Sequence, residues 1–198
     1  MSKYGHRPHN WFEGIVNKLG GEEGAERFLR GELIIKECER VFPTCKTLKL
    51  GTFKNVDGIR KALNTCGYEI SAWASDMLGK SAFAMSKTEM EVELVNISVA
   101  ELGFKDGARY ADICKCANEL GLDLCPSEVG PQLRLQYKDQ PKCDYLIVAM
   151  DAIADSSGNL RVFQVSRDGY GRYYLRSDDG KPDDFWGGTR RFVFRRRK

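Results

Sequence analysis

From Tyr145 onward the chain carries turn signals about ten residues apart, and this spacing constrains its fold more than any other feature. The signals are Asp155–Asn159 (DSSGN), Asp168–Gly171 (DGYG), Asp178–Pro182 (DDGKP) and Gly187-Gly188. Asp and Asn make local side-chain turns, Pro presets φ, and Gly supplies positive φ. Short apolar runs lie between them, at 145–151, 160–166, 172–176 and 189–196. Runs of this kind between regular turns predict strands in an antiparallel meander.

The first 140 residues follow a different period. After a polar arm over residues 1–10, Trp11, Phe12, Ile15, Val16 and Leu19 recur at helical spacing until Gly20-Gly21. A second helix spans Glu22 to Gly31, with Glu22 and Glu23 at its start and Arg27 and Arg30 near its end, as the helix dipole favours. Gly24 weakens it by about 1 kcal/mol relative to Ala. Val56–Cys66 and Ile70–Leu78 read as a helical hairpin, the first helix placing Val56, Ile59 and Leu63 on one face. Ala108–Leu120 and a segment from Ser127 to Tyr137 predict two more helices. Strands are expected at Thr47–Phe53 and at 89–99, where Glu alternates with Met, Val and Leu. The expected class is α+β: a helical N-terminal and central part over 1–140, then an antiparallel β region over 141–198. Asp139-Gln140-Pro141-Lys142 marks the boundary.

Of the chain, 42% is apolar and 30% charged, the balance of a soluble globular protein. No run approaches the roughly 20 apolar residues of a membrane span, and MSKYGHRPHNWFEG lacks the apolar core of a secretory signal. The seven cysteines are odd in number and irregularly spaced, which argues against a disulfide framework. These readings point to a cytoplasmic protein with free thiols.

Four segments, LGGEEGAERFLRGEL (19–33), AELGFKDGARYADI (100–113), LDLCPSEVGPQLRLQYKDQP (122–141) and DDFWGGTRRFVFRRRK (183–198), resemble an uncharacterised bacterial family of soluble proteins of similar length. The resemblance implies a free-standing intracellular protein. It brings no activity, ligand or catalytic residue.

Charge is unevenly placed. The last nine residues hold six of the 31 basic side chains and no acidic one, leaving 25 basic against 28 acidic side chains elsewhere. Arg190, Arg191, Arg195, Arg196 and Arg197 are therefore the candidate contacts for an anionic ligand or nucleic acid, since guanidinium forks match phosphate oxygens. The competing reading is an edge strand guarded by charge, with Phe192 and Phe194 sealing the core and a solvated tail after it. Phe185-Trp186 before Gly187-Gly188 offers either a stacking platform or, as we prefer, a plug for the β region.

Other chemistries find less support. Cys114-Lys115-Cys116, Cys125 and the pair His6/His9 lack zinc spacing, and Asp178, Asp179, Asp183 and Asp184 read as turn chemistry rather than a calcium loop. No residue set calls for a metal or another cofactor. ADICKCANELGL followed by SEVGPQLRLQY is spaced like a helix–turn–helix that would present Gln132, Arg134, Gln136 and Lys138. An ordinary helical hairpin explains it better, because the connection is long and Pro131 interrupts. Glu89, Glu91 and Glu93, or Asp183 and Asp184 near Trp186, are the carboxylates an enzyme would use. Exposed aromatics would serve a protein–protein adaptor. A binding or regulatory role at the basic C-terminus is the expectation carried forward.

Overall fold

The computed structural model describes residues 9–34 and 42–197, with residues 9 and 10 described by their backbone alone. His6, Cys38 and Lys198, and the arm over residues 1–8, lie outside the described residues. The chain divides into two compact units, Met1–Arg40 and Val41–Lys198.

The first unit is a pair of short helices, α1 (His9–Lys18) and α2 (Gly21–Leu29), joined through Gly20 at φ 96°. Gly24 is the buried residue of α2, and a Cβ there would fall 1.7 Å from the Leu19 carbonyl oxygen. The glycine that weakens the helix by propensity is what allows this close approach.

The second unit runs β1 (Lys46–Leu50), α3 (Val56–Thr65), β2 (Glu69–Ile70), α4 (Ala72–Leu78), β3 (Met90–Ser98), β4 (Ala108–Arg109), α5 (Tyr110–Glu119) and β5 (Leu122–Asp123). It continues with α6 (Val129–Gln136), β6 (Asp144–Val148), β7 (Ile153–Ala154), β8 (Leu160–Arg167), β9 (Tyr173–Asp179), β10 (Phe185–Trp186) and β11 (Arg191–Arg196). Side-chain caps start two of the helices: Asn55 accepts from the Gly58 N–H, and Ser71 from that of Ala74.

These strands form a nine-stranded sheet in the order β1-β3-β11-β6-β8-β9-β2, with β5 beside β11 and β7 beside β8. A separate two-stranded ribbon pairs β10 with β4. The class is α+β, but the expected C-terminal antiparallel meander is not what forms. Three strands, β6, β8 and β9, are antiparallel neighbours in chain order. β11 then leaves that run and inserts between β3 and β6, antiparallel to β3 and parallel to β6. β2 is parallel to β9. The sheet is therefore mixed, and residues on both sides of Pro141 contribute to it.

The cause lies in the side chains of β11. Phe192, Val193 and Phe194 are all fully buried. A strand apolar on both faces is stable with neighbours on both edges and layers above and below, which is an interior position. The edge-strand reading fails for the same reason. Turn signals report where the chain reverses; they do not report which strand it rejoins.

Alternation along the strands assigns the two faces. One face carries Leu48, Leu94, Val193, Val148 and Val165, with α6 across β1, β8 and β9 and α3 packed on α6. α6 reaches the sheet because Gly130 has no side chain: a Cβ would meet the Phe163 ring at 2.6 Å. The other face carries Phe192 and Phe194; Tyr110 of α5 and Trp186 of the ribbon pack on Phe192. Farther along this face, Tyr145 and Arg176 stay exposed.

The outer edge at β1 is closed by side chains. Gln136 accepts from the Lys49 N–H at 3.0 Å and donates to the Lys49 carbonyl at 2.8 Å. Glu128, fully buried, accepts from the N–H groups of Gly51 (2.9 Å) and Ser86 (2.8 Å) and from Gln132 (3.0 Å). An amide thus takes the place that a further strand would occupy.

Candidate functional site

The centre of β11 is structural, so any chemistry belongs to its ends. Arg191 and Arg196 lie five positions apart along the strand, roughly 16 Å of backbone. The five candidate arginines therefore do not converge on one spot.

At the N-terminal end, Arg191 donates to the Asn96 side chain (3.0 Å) and carbonyl (3.3 Å) and pairs with Glu101 at 3.4 Å. Hydrogen bonds from Ser98, backbone first, hold Glu101 below its ordinary pKa, with help from Arg191. Arg190 stacks on Tyr145, its guanidinium carbon 5.1 Å from the ring centroid.

At the C-terminal end, β5 pairs with Arg195 and Arg196, bringing Asp123 against the strand. Asp123 takes Arg197 at 2.7 Å and Arg195 at 3.1 Å. Hydrogen bonds from Arg197 and then Arg195 hold its carboxyl below the usual range against the opposing effect of burial. Arg196 pairs with Glu93 at 3.1 Å and also donates to the Phe42 carbonyl and to Thr44. Arg197 reaches the Asn118 carbonyl at 3.3 Å. Arg195, Arg196, Arg197, Glu91, Glu93 and Asp123 line a depression of about 270 Å³ together with Met90 and Val92.

Not every donor is used. Among the described residues, Nε and Nη1 of Arg195, and Nη1 of Arg196 and of Arg197, have no protein partner. One carboxylate, Asp123, is shared by two guanidiniums. That leaves positive charge and spare N–H groups at one point, the arrangement that accepts a carboxylate or phosphate. The Glu-x-Glu alternation of β3 marked Glu91 and Glu93 in the sequence. Asp123 had no local signal, because only the β5–β11 pairing brings it here.

The two aromatics before the glycines separate. Trp186 is 6% exposed and packs edge-on against Phe192 at 5.3 Å between centroids. Phe185 is 66% exposed, with its ring over Gly107, where a Cβ would lie 2.7 Å from it. Phe185, Arg190, Asp178, Asp179 and Asp184 line a second opening of about 270 Å³. Burial raises the Asp178 pKa, against the opposing hydrogen bond from the Asp179 N–H. Asp184 accepts from the Lys181 N–H at 2.7 Å, an ordinary turn contact. No group of three or more metal-ligating side chains converges among the described residues.

The remaining candidates are placed as follows. Gln132 and Arg134 are buried in α6, so they cannot face nucleic acid. Arg134 lies between the rings of Tyr68 (5.1 Å) and Tyr173 (4.5 Å) and donates to Gln140 (2.5 Å) and to the Tyr137 carbonyl (2.6 Å). Burial lowers its pKa to about 10, which leaves it charged at neutral pH. Glu93 is committed to Arg196 and Thr44 rather than to a carboxylate pair. Burial pushes the Cys114 thiol up to about 11, so it stays protonated and is a poor nucleophile. No helix among the described residues is long and apolar enough to cross a membrane.

Compared with known protein families, curated proteins and solved structures, the chain matches none.

Proposed function

We propose that this protein is a binding protein for a small anionic ligand, held at the C-terminal end of β11 by Arg195 and Arg197 with Arg196 beside them. The observation that carries this reading is the sharing of Asp123 by two guanidiniums that keep unused N–H groups on a depression of about 270 Å³. A carboxylate or a phosphate group matches that donor set. An extended nucleic-acid track has less behind it, because Arg190 and Arg191 lie at the far end of the strand and are engaged by Tyr145, Asn96 and Glu101. We also place the protein in a reducing compartment such as the cytoplasm; its six described cysteines are free thiols.

The test is titration of the full chain with inorganic phosphate and with acetate at low salt, followed by amide chemical shifts. Shifts should centre on Asp123 and Arg195–Arg197. Arg195→Gln and Arg197→Gln should each weaken binding about ten- to a hundredfold, the range for a hydrogen bond to a charged group. Absence of binding by the unaltered chain, or unchanged affinity in both variants, refutes the reading. A mixed nucleic-acid pool that binds tightly at low salt and is lost on truncation after Phe194 would favour the extended track instead.

A further inference from the structure

The second opening, where β10 and the turn before it meet the end of β9, has a chemistry of its own. Register sets Asp178 on the face of the sheet that carries Phe192. Asp178 pairs with Val162, two positions from Gln164, which pairs with Ile147, the partner of Phe192. Trp186 packs on Phe192 from that side. Tyr145, two positions before Ile147, shares the same face, and Arg190 stacks on it.

Asp178, Asp184, Phe185, Trp186 and Arg190 line this opening of about 270 Å³. Each keeps a capacity for contact that the fold does not use. Asp178 and Asp184 are half-buried carboxylates with no ion pair among the described residues. Asp178 accepts only from the Asp179 N–H (3.1 Å) and, at 3.5 Å, from Gln164, and Asp184 only from the Lys181 N–H (2.7 Å). Asp179, the third carboxylate at the opening, is taken by Arg161. The guanidinium of Arg190 makes no hydrogen bond or ion pair among the described residues; stacked on Tyr145, it is held by its face and keeps its N–H edge for a ligand. The indole N–H of Trp186 is buried and has no acceptor. A buried donor left that way costs about 1–3 kcal/mol. The Phe185 ring is open to water yet seated on Gly107, where a Cβ would lie 2.7 Å from it.

These groups together select a class of ligand. An organic cation would suit the two carboxylates but would meet Arg190. A simple anion would suit Arg190 but would meet the carboxylates. A hydroxyl both donates and accepts, so several hydroxyls on one small body serve all of these groups at once. The exposed ring adds a demand for apolar surface. The C–H hydrogens of a sugar ring meet it, because they carry slight positive charge and the face of an aromatic ring is negative. We infer that this opening binds a neutral saccharide, one sugar ring stacked on Phe185, with hydroxyls donating to Asp178 and Asp184 and accepting from Arg190. The volume, just below the roughly 300 Å³ at which pockets for drug-sized ligands begin, suits a single ring. This site is separate from the anion site at the other end of β11 and does not depend on it.

The experiment is chemical-shift titration of the full chain with methyl glucoside, methyl galactoside and methyl mannoside, and with butylammonium as a cationic probe. At least one glycoside should give saturable shifts in the millimolar range at the amides of Asp178, Asp184 and Phe185 and at the indole N–H of Trp186, leaving Arg195–Arg197 unmoved. Phe185→Ala and Asp178→Asn should each weaken that binding about tenfold, the first by removing the stacking surface and the second by removing a charged acceptor. Thermal unfolding checks that both variants fold; if Asp178→Asn does not, Phe185→Ala decides alone. Failure of all three glycosides to bind the unaltered chain, shifts centred elsewhere, or unchanged affinity in Phe185→Ala overturns the saccharide site. Tighter binding of butylammonium than of any glycoside overturns it as well, because the carboxylates would then set the charge of the ligand.

Discussion

Phe192→Ala tests the interior position of β11. The ring is fully buried and sits 5.3 Å from Trp186, 5.9 Å from Tyr110 and 6.2 Å from Phe194 between centroids. Removing a core Phe ring typically costs about 3–5 kcal/mol, more where the surroundings cannot collapse. Here the neighbours belong to β10, α5 and β11 itself, and the strand is paired on both sides, to Ile97 of β3 and Ile147 of β6. The hole cannot close by a single rotamer change, so we expect about 4 kcal/mol. With a urea m-value of about 2 kcal/mol/M, the midpoint falls by about 2 M. Urea titration followed by tryptophan fluorescence measures this, with Trp186 as a reporter in contact with the altered site. Phe185→Ala is the control; at an exposed ring it should move stability by about 0.5 kcal/mol or less. A fall of under 0.5 M for Phe192→Ala with an unchanged m-value would refute the interior placement, because it is what a half-covered ring on a sheet edge would give.

Two further predictions test packing and charge. Gly130→Ala should destabilise by about 2 kcal/mol although Ala is the better helix former, since its Cβ would meet the buried Phe163 ring at 2.6 Å; a higher melting temperature would contradict the close approach of α6. For Asp168, burial alone would raise the pKa, but the Arg172 N–H and guanidinium and the Tyr174 hydroxyl prevail and bring it to about 2. A folded-state pKa below the unfolded value of about 3.9 means that the stabilisation is complete above pH 4 and is lost as pH falls toward 2. Asp168→Asn should therefore lose less stability between pH 4 and pH 2 than the unaltered chain in urea titrations at each pH; identical slopes would count against the pairing.

The parts of this fold legible in the sequence are those set by local periods. The Glu-alternating stretch at 89–99 forms β3, and Val56, Ile59 and Leu63 set the face of α3, with Ile59 and Leu63 buried. The turns at Asp155–Asn159 and Asp168–Gly171 separate β7 from β8 and β8 from β9. What was not legible depends on partners distant in the chain. β11 pairs with β3 about a hundred residues earlier, and no local property of RRFVFR states whether its neighbour is β9 or β3. One signal was present and under-read: three consecutive apolar residues, Phe192-Val193-Phe194, leave no polar face for solvent. Strict alternation suits a sheet with one wet side, whereas a continuous apolar run suits a strand covered on both faces. The same distance dependence hid Gln136, whose side chain pairs with the backbone of Lys49.

The change in position of β11 alters what its charges can do. On a free edge, Arg190 to Arg197 would form one continuous cationic strip, suited to a polyanion and strongly screened by salt. In the interior, the strand presents only its ends, and each end is met by carboxylates from β3, from β5 or from the turn after β3. Four arginines, Arg191, Arg195, Arg196 and Arg197, then share three carboxylates, Glu101, Asp123 and Glu93. Ion pairs this exposed contribute at most about 1 kcal/mol each, so folding alone does not require so many. At the proposed anion site they would act by fixing the guanidinium planes in advance, since pre-positioned donors lose less entropy on capture than free side chains do. Pairing within the protein thus weakens the long-range field that would draw in nucleic acid and sharpens the local geometry that would hold one small charged group.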